Sequence, residues 1–225
     1  MRGRQLRDGV QVLVADFGFK EAVASGDTLT LQSAMTNQAA RISASEAMLL
    51  DLNGKVLASS LSNVRPGDTF RYADELRAAR QQGQSMLVVS LDGQAHLMVE
   101  AEVRAPLPIA RVVMGFAMDQ ALADELKELT SLDVSFLTRE GESKGELVTT
   151  LAQETRDDLI DGWSQHDHAT GIEELLLNGE RYLNEDIVLS EGENFSVIAL
   201  VHRSLDDALA GFHQLDSRIL LIAFV

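Results

Sequence analysis

The sequence contains no cysteine, which excludes every site that depends on a thiol. The chain cannot form a disulfide scaffold, a thiolate zinc site or a cysteine nucleophile. Basic residues are also scarce, since 19 Lys and Arg stand against 35 Asp and Glu and give a formal net charge of −16. A surface this acidic repels phosphate backbones, and no clustered stripe of Lys and Arg offsets it, so we expect no nucleic-acid partner.

Sequence signatures of common active sites are absent too. The chain has no glycine-rich phosphate loop, no nucleophile elbow and no metal-binding helix motif. We therefore expect no catalytic residue, no metal site and no cofactor, and interpret the chain as a binding module rather than an enzyme. The segment 166–168, "HDH", contains metal-ligand residue types, but three consecutive residues cannot normally converge on one ion. We interpret it as an exposed loop.

Long hydrophobic runs are missing as well. Ile219–Val225 supplies seven apolar residues at the C-terminus, where a membrane-spanning helix needs about 20. Because helical apolar spacing precedes this run and no polar residue follows Arg218, we predict that residues 205–225 form a helix leading into a transmembrane segment. A buried C-terminal helix in a soluble protein is the alternative. The N-terminal stretch is a poor signal peptide because Gln11 and Asp16 interrupt it.

Helical periodicity dominates the first 45 residues. Apolar residues recur at steps of three and four through Leu6–Phe17 and again through Leu31–Ile42. Between these stretches, Gly26 weakens a helix and Asp27 can cap its resumption. The pattern predicts one long helix over residues 1–45, with a kink or short break in the middle.

From Glu46 onward the pattern changes to short strands, turns and connecting helices. "ADELRAARQQG" predicts a short helix closed by Gly83, and Asp119 is placed to begin another. Turn-forming pairs with glycine predict three hairpins, each centred between two apolar runs. These pairs are Asn53-Gly54, Asp92-Gly93 and Asn178-Gly179.

The succession of elements occurs twice. A shift of 86 residues places "DG" at 92–93 over "NG" at 178–179, and after one inserted residue "DQALA" matches "DDALA". We therefore predict two tandem domains of one α+β fold with antiparallel sheets, over residues 46–130 and 131–204.

Several phrases of the sequence carry a family resemblance. "VADFGFKEAVASGDTLTLQSAMTNQAARISASEAMLLDLNGKVLASS" and "VRAPLPIARVVMGFAMDQALADEL" resemble the extracytoplasmic double Cache sensor modules of bacterial transmembrane receptors. The receptors concerned carry diguanylate cyclase, phosphodiesterase or histidine kinase output domains. The resemblance implies a long helix leaving a first transmembrane segment, a membrane-distal and a membrane-proximal PAS-like domain, and a helix returning to the membrane.

One departure from the family limits what the resemblance implies about the ligand. Its amino-acid-binding branch carries an aromatic, arginine and tryptophan constellation in the distal domain. Here the corresponding region reads "FRYADELRAAR", and the sole tryptophan, Trp163, lies in the second domain. Amino-acid sensing therefore does not carry over.

The strand "QAHLMVEAEVR" contains the candidate site. Its apolar residues alternate onto one face, and the other face holds His96, Met98, Glu100, Glu102 and Arg104. In PAS-like folds a ligand lies against one sheet face beneath a lid, so we predict a small-molecule site there. The candidate ligand-binding residues are Arg71, Tyr72, His96, Met98, Glu100 and Arg111. The alternative is a polar sheet face in contact with water.

The resemblance implies the ligand-sensing periplasmic domain of a two-pass receptor in a bacterial inner membrane. Its C-terminal helix would transmit binding of an unidentified small molecule to a cytoplasmic output domain. The apolar stripes at the two ends of the chain predict a homodimer. A non-sensing module for dimerisation or for contact with a periplasmic protein is the alternative.

Overall fold

The computed structural model describes residues 2–61, 63–141, 143–163, 172–206 and 208. The helices are α1 (Arg2–Ala15), α2 (Phe17–Ser25), α3 (Thr28–Arg41), α4 (Ala73–Gln81), α5 (Gln120–Thr130) and α6 (Gln153–Trp163). The strands are β1 (Glu46–Leu50), β2 (Val56–Ser59), β3 (Met86–Leu91), β4 (Gln94–Arg104), β5 (Pro108–Ala117), β6 (Asp133–Glu140), β7 (Ser143–Thr149), β8 (Ile172–Leu177), β9 (Glu180–Glu191) and β10 (Phe195–Ser204).

The N-terminal helical region is present but is divided into three helices. Asp16 separates α1 from α2 and caps α2, because its carboxylate accepts a hydrogen bond from Phe19 N at 2.7 Å. Gly26 ends α2 with a φ of 71°, and Asp27 caps α3. The break predicted at Gly26 and Asp27 is confirmed, whereas the sequence did not predict the break at Asp16.

The third helix packs against the first rather than extending away from it. Gln38 Nε2 donates a hydrogen bond to the carbonyl of Gly9 at 3.1 Å, and Ile42 lies against the same glycine. The described N-terminal region thus differs from a single long helix, because α3 returns alongside α1. The apolar positions on α1 and α3 face a shared core with the first sheet.

Two five-stranded sheets follow one topology. The strand order is β2-β1-β5-β4-β3 in the first and β7-β6-β10-β9-β8 in the second. Along the chain, each unit has a hairpin, a connecting helix, a second hairpin and a final strand. The final strand lies next to the first strand in the sheet. The predicted α+β fold with two tandem antiparallel modules is confirmed.

The chain divides into two compact units. The first comprises Met1–Leu91 and Ala95–Ala117, and the second comprises Asp92–Gln94 and the described residues from Met118 onward. Helix α5 lies in the second unit. The second unit has a separate apolar core beneath α6, which includes Leu137, Leu159 and Leu200.

The three predicted hairpins form, but with two kinds of turn. Asp92 and Gly93 have φ values of 51° and 82°, and the pair at 178–179 is similar. Both central residues of each pair thus adopt the positive φ of a type I′ turn. The loop between β1 and β2 is wider, and there only Gly54 has a positive φ. Asp51 organises that loop by accepting hydrogen bonds from the N–H groups of Asn53 and Lys55.

Strand β4 is longer than its neighbour at the edge of the sheet. Strand β3 begins at Met86, and Glu100 N donates to Ser85 O at 2.9 Å just before it. Residues 101–104 of β4 continue past this point and border an open groove of about 470 Å³. Within the described ranges, no strand pairs with this side of 101–104.

Candidate ligand-binding site

The predicted polar row on β4 lies on one face of the first sheet. Alternate residues of β4, including Val99 and Ala101, pack against the N-terminal helices on the opposite face. In the register of β4 and β5, Glu102 lies opposite Arg111, which places the Arg111 side chain on the polar face. The predicted alternation of the two faces is confirmed.

This polar face is not a solvated surface. His96 and Met98 are buried, and Glu100 is only 7 % exposed. Arg104, at the end of the strand, is exposed to solvent, and Glu102 is partly exposed. The alternative of a row in contact with water is therefore wrong for the first three residues.

Arg71 and Tyr72 attach the segment before α4 to strand β3. Both side chains donate hydrogen bonds to the carbonyl oxygen of Ser90. The guanidinium carbon of Arg71 lies 4.8 Å from the centroid of the Tyr72 ring, within the range of a cation–π interaction. Phe70 adds an edge-to-face contact with Tyr72 at 5.7 Å between ring centroids. These residues position α4 over the sheet.

Glu100 is the centre of an ionic cluster beneath α4. Its two carboxylate oxygens accept hydrogen bonds from Arg80 Nη1 at 2.7 and 2.8 Å. Arg111 approaches from β5, with Nε 3.4 Å from Glu100 Oε1. Arg111 also donates to the carbonyl of Leu52 at 2.8 Å, which ties the β1–β2 loop to the cluster. Two guanidinium groups therefore surround one buried carboxylate.

Arg80 of α4 also belongs to this site but was not predicted from the sequence. A signal was available, because Leu76 and Ala79 mark the buried side of α4 and Arg80 lies four residues after Leu76. Once α4 is placed over the polar face, Arg80 is the basic residue of the helix that extends toward Glu100. Sequence alone did not show which face of the sheet α4 covers.

The cleft between α4, the β1–β2 loop and the sheet is small in this structure. Its volume is about 10 Å³, room for about one water molecule. Three arginines line it, Arg77, Arg80 and Arg111, together with the carboxylates of Asp51 and Glu100. The lining therefore carries one net positive charge, and a larger ligand requires α4 or the loop to move.

Within the described residues, no group of three or more His, Asp or Glu side chains is arranged to hold a metal ion. The "HDH" segment at 166–168 lies outside the described residues, as does the side chain of Trp163. No described helix has both the length and the hydrophobicity of a membrane span. The helix predicted over 205–225 lies almost wholly outside the described residues.

The second unit also carries polar residues on the face beneath its connecting helix. Tyr182 and Asn184, both on β9, are buried there. Burial raises the pKa of Tyr182, and its hydrogen bond to Glu180 acts in the same direction. His202, on β10, is completely buried. Burial lowers the pKa of His202 to about 4, although Asp133 opposes the shift.

The sequence matches a known protein family over most of its length. Residues 2–184 match the family described as "Double sensory domain of two-component sensor kinase". No curated protein matches the sequence.

Solved structures similar to this chain are also sensor domains. Two crystal structures of the periplasmic domain of Vibrio cholerae LuxQ have TM-scores of 0.54 and 0.55, at 11 % and 10 % identity. The first match covers 90 % of this chain and 93 % of that periplasmic-domain chain, and the second covers 92 % and 93 %. The ligand-binding domain of Pseudomonas aeruginosa PAO1 PctB in complex with L-Arg has a TM-score of 0.48 at 12 % identity, covering 89 % of this chain and 86 % of that one. At these identities the similarity shows the fold alone.

Proposed function

This chain belongs to the family of double sensory domains of two-component sensor kinases, and we propose that it is the ligand-sensing periplasmic part of a two-pass bacterial membrane receptor. The sensing site is the cleft between α4 and the first sheet. Its ligand is a small molecule that engages Arg80 and Arg111, and the other predicted site residues hold the cleft together.

One observation supports this site above others in the first unit: the buried Arg80–Glu100–Arg111 cluster links a helix to a sheet. Arg80 belongs to α4, whereas Glu100 and Arg111 belong to adjacent strands. A ligand that forms an ion pair or hydrogen bonds with Arg80 in place of Glu100 removes a contact that holds α4 against the sheet. Differential affinity for two positions of α4 is what signalling requires, and such coupling is commonly worth about 1–3 kcal/mol.

Signal output requires parts beyond the described residues. In this proposal, residues 205–225 carry the change to a cytoplasmic output domain. The family description favours a kinase output, and a diguanylate cyclase or phosphodiesterase output is the alternative. The polar, acidic composition of the chain suits a periplasmic domain between two membrane helices.

We also propose a homodimer through the N-terminal helices. Phe17 is 79 % exposed and Leu29 80 % exposed, and Val12 is another exposed apolar residue of this region. Exposed apolar side chains on the helices leave an apolar surface that a second copy of the chain would cover.

The test is a thermal-shift screen of the chain against a metabolite library, because a ligand that binds only the folded state raises the melting temperature. A confirmed ligand is then titrated calorimetrically into Arg111→Met and into the matched control Arg104→Met, whose arginine is solvent-exposed on the adjacent strand. We expect Arg111→Met to weaken binding at least about tenfold and Arg104→Met to leave it unchanged. Equal affinity for both variants would exclude this cleft as the site.

The small volume of the cleft favours a second candidate function. A non-sensing module for dimerisation or protein contact needs no cavity, and a cleft of about 10 Å³ suits such a module. The two candidates differ in their response to the screen. If no metabolite raises the melting temperature, and if crystals grown in the presence of the metabolites show a cleft of unchanged volume, the non-sensing module is favoured.

A further inference from the structure

A chain of buried polar side chains lies on the inner face of the second sheet. Thr149 Oγ1 and Ser135 Oγ share a hydrogen bond of 2.6 Å, and Ser135 Oγ shares another of 2.9 Å with His202 Nε2. Thr149 Oγ1 also accepts from Leu151 N at 3.1 Å, so its end of the chain is anchored in the backbone. Three adjacent strands, β7, β6 and β10, supply these residues.

At the other end of this series of hydrogen-bonded side chains, His202 has a ring nitrogen without a partner among the described residues. This nitrogen is Nδ1, and His202 is 0 % exposed. Asn184, on β9, lies directly opposite His202 in the strand register and is 6 % exposed. Its Nδ2 donates to Asp186 Oδ1, which fixes the orientation of the amide, while its Oδ1 has no partner in the described part of the chain.

Two unpaired polar atoms on neighbouring strands are unusual, because buried polar groups are nearly always hydrogen-bonded. Packing does not require them, since an apolar pair of similar shape would avoid the desolvation penalty. Their position is also informative. Asn184 and His202 lie on the sheet face that bears Tyr182 and Leu200, which pack with Leu159 of α6, and Glu100 and Arg111 line the cleft beneath α4.

We propose that Asn184 and His202 form a second small-molecule site, in the second unit, which takes a non-anionic ligand with hydrogen-bond donors. Asn184 Oδ1 accepts an N–H or O–H from the ligand, and His202 Nδ1 bonds a second polar group. The depressed pKa of His202 agrees with a neutral imidazole at this position.

The charges around the pair define the class of ligand. In the strand register Asp133 lies next to His202, and Glu173 lies next to Asn184 on the other side. The carboxylates of Asp133 and Glu173 flank the Asn184–His202 pair and repel an anion. Lys127, the basic group near Asp133, does not offset this repulsion, because its Nζ is already paired with Asp133 Oδ1 at 2.6 Å. An amide, an alcohol or an amine fits this environment. The site therefore differs in ligand chemistry from the arginine-lined cleft of the first unit.

The test follows the Asn184 side-chain amide and the His202 ring by heteronuclear NMR of the whole chain. Acetamide and ethanolamine are the probes, and acetate is the anionic comparison. We expect saturable shifts with acetamide or ethanolamine and none with acetate. Asn184→Leu weakens the apparent affinity seen at His202 at least about tenfold, because the acceptor is lost. The matched control Asn37→Leu, at an exposed position of α3, leaves the response unchanged.

A second measurement needs no variant. A high-resolution crystal structure soaked in ethanolamine should show the probe bonded to both atoms. A single water on these atoms that the soak does not displace overturns the proposal, as do an equal response to acetate, no saturable shift with either donor, or a response that survives Asn184→Leu. None of these results bears on the first-unit cleft, which the Arg111→Met titration tests separately.

Discussion

Glu100 places a carboxylate beneath α4, where water cannot hydrate it fully, and Arg80 and Arg111 compensate its charge. A buried charge is tolerated only when it is paired and hydrogen-bonded. Glu100 therefore has a structural role in addition to its proposed role at the site. Binding and folding depend on the same carboxylate, so the two effects have to be measured separately.

The variant Glu100→Gln should lower the free energy of unfolding by about 1.5–3 kcal/mol, the usual contribution of charge-assisted hydrogen bonds. The matched control is Glu102→Gln, on the same face and strand, whose short contact at 2.6 Å is to the solvent-exposed Arg104 and whose contact with Arg111 is longer, at 3.6 Å. We expect the control to cost less than about 1 kcal/mol. Urea unfolding of both variants measures the difference, and equal losses would mean that the Glu100 cluster adds no stability.

His202 should make stability depend on pH. Its pKa in the folded chain is about 4, below the ordinary value of 6.5. As the pH falls below 6.5 the unfolded chain binds the proton first, so unfolding is favoured progressively down to about pH 4. The full effect is about 3 kcal/mol, and it is absent above pH 6.5.

His202→Gln isolates this contribution, because glutamine has no titrating group and can still bond Ser135. The free energy of unfolding of wild type and variant is measured by urea titration between pH 4 and 7. We expect the difference between the two proteins to be smaller at pH 4 than at pH 7, because only the wild type loses the contribution of His202. A constant difference across that range would show that His202 titrates normally in the folded chain.

At the scale of elements, α1 and the end of α3 are in close contact at Gly9. A Cβ built on Gly9 would lie 2.6 Å from Ile42 Cγ2, whereas one built on Gly18 of α2 meets nothing closer than 3.4 Å. Intrinsic helix propensity favours alanine at either position by about 1 kcal/mol. At Gly9 the contact with Ile42 outweighs this preference, so we expect alanine to lower the free energy of unfolding there.

Gly9→Ala should therefore destabilise the chain by about 1–2 kcal/mol through overpacking. Gly18→Ala, the matched control in an exposed position, should leave stability unchanged or raise it slightly. Thermal unfolding of the two variants provides the comparison. A stabilised Gly9→Ala protein would mean that α3 does not pack against α1 in solution.

Local turn chemistry explains which elements could be predicted. Asp92-Gly93 and Asn178-Gly179 predicted their hairpins because positive φ at both central residues is a local requirement. The end of α2 at Gly26 was predictable for the same reason. The return of α3 to α1 was not, because it depends on the contact of Gly9 with Ile42, which are 33 positions apart in the sequence.

Across the whole molecule, periodicity predicted the faces but not what covers them. Alternation along β4 placed Glu100 and His96 on one face, and the shift of 86 residues between the repeats aligns Met98 with Asn184 of the second sheet. Burial of these residues depends on where α4 and α6 pack. Strand pairing was also needed to bring Ser135, Thr149 and His202 together.

The proposed homodimer makes a prediction for the whole molecule. The double variant Phe17→Ser with Leu29→Ser should shift small-angle scattering at high concentration from dimer to monomer, because it removes two exposed apolar contacts. The matched control is Leu176→Ser, at another exposed leucine, in the second unit. Scattering from monomers alone in the unsubstituted chain would contradict dimerisation through these helices.

The unpaired end of β4 would be a hazard in most secreted proteins, since a free strand edge recruits other strands and seeds aggregates. Here the exposed Arg104 and its bonded partner Glu102 stand on that edge, and the register slips between Val103 and Arg104. Charge and irregular pleating discourage unwanted strand addition. The first sheet can thus keep an open edge without recruiting strands from other copies of the chain.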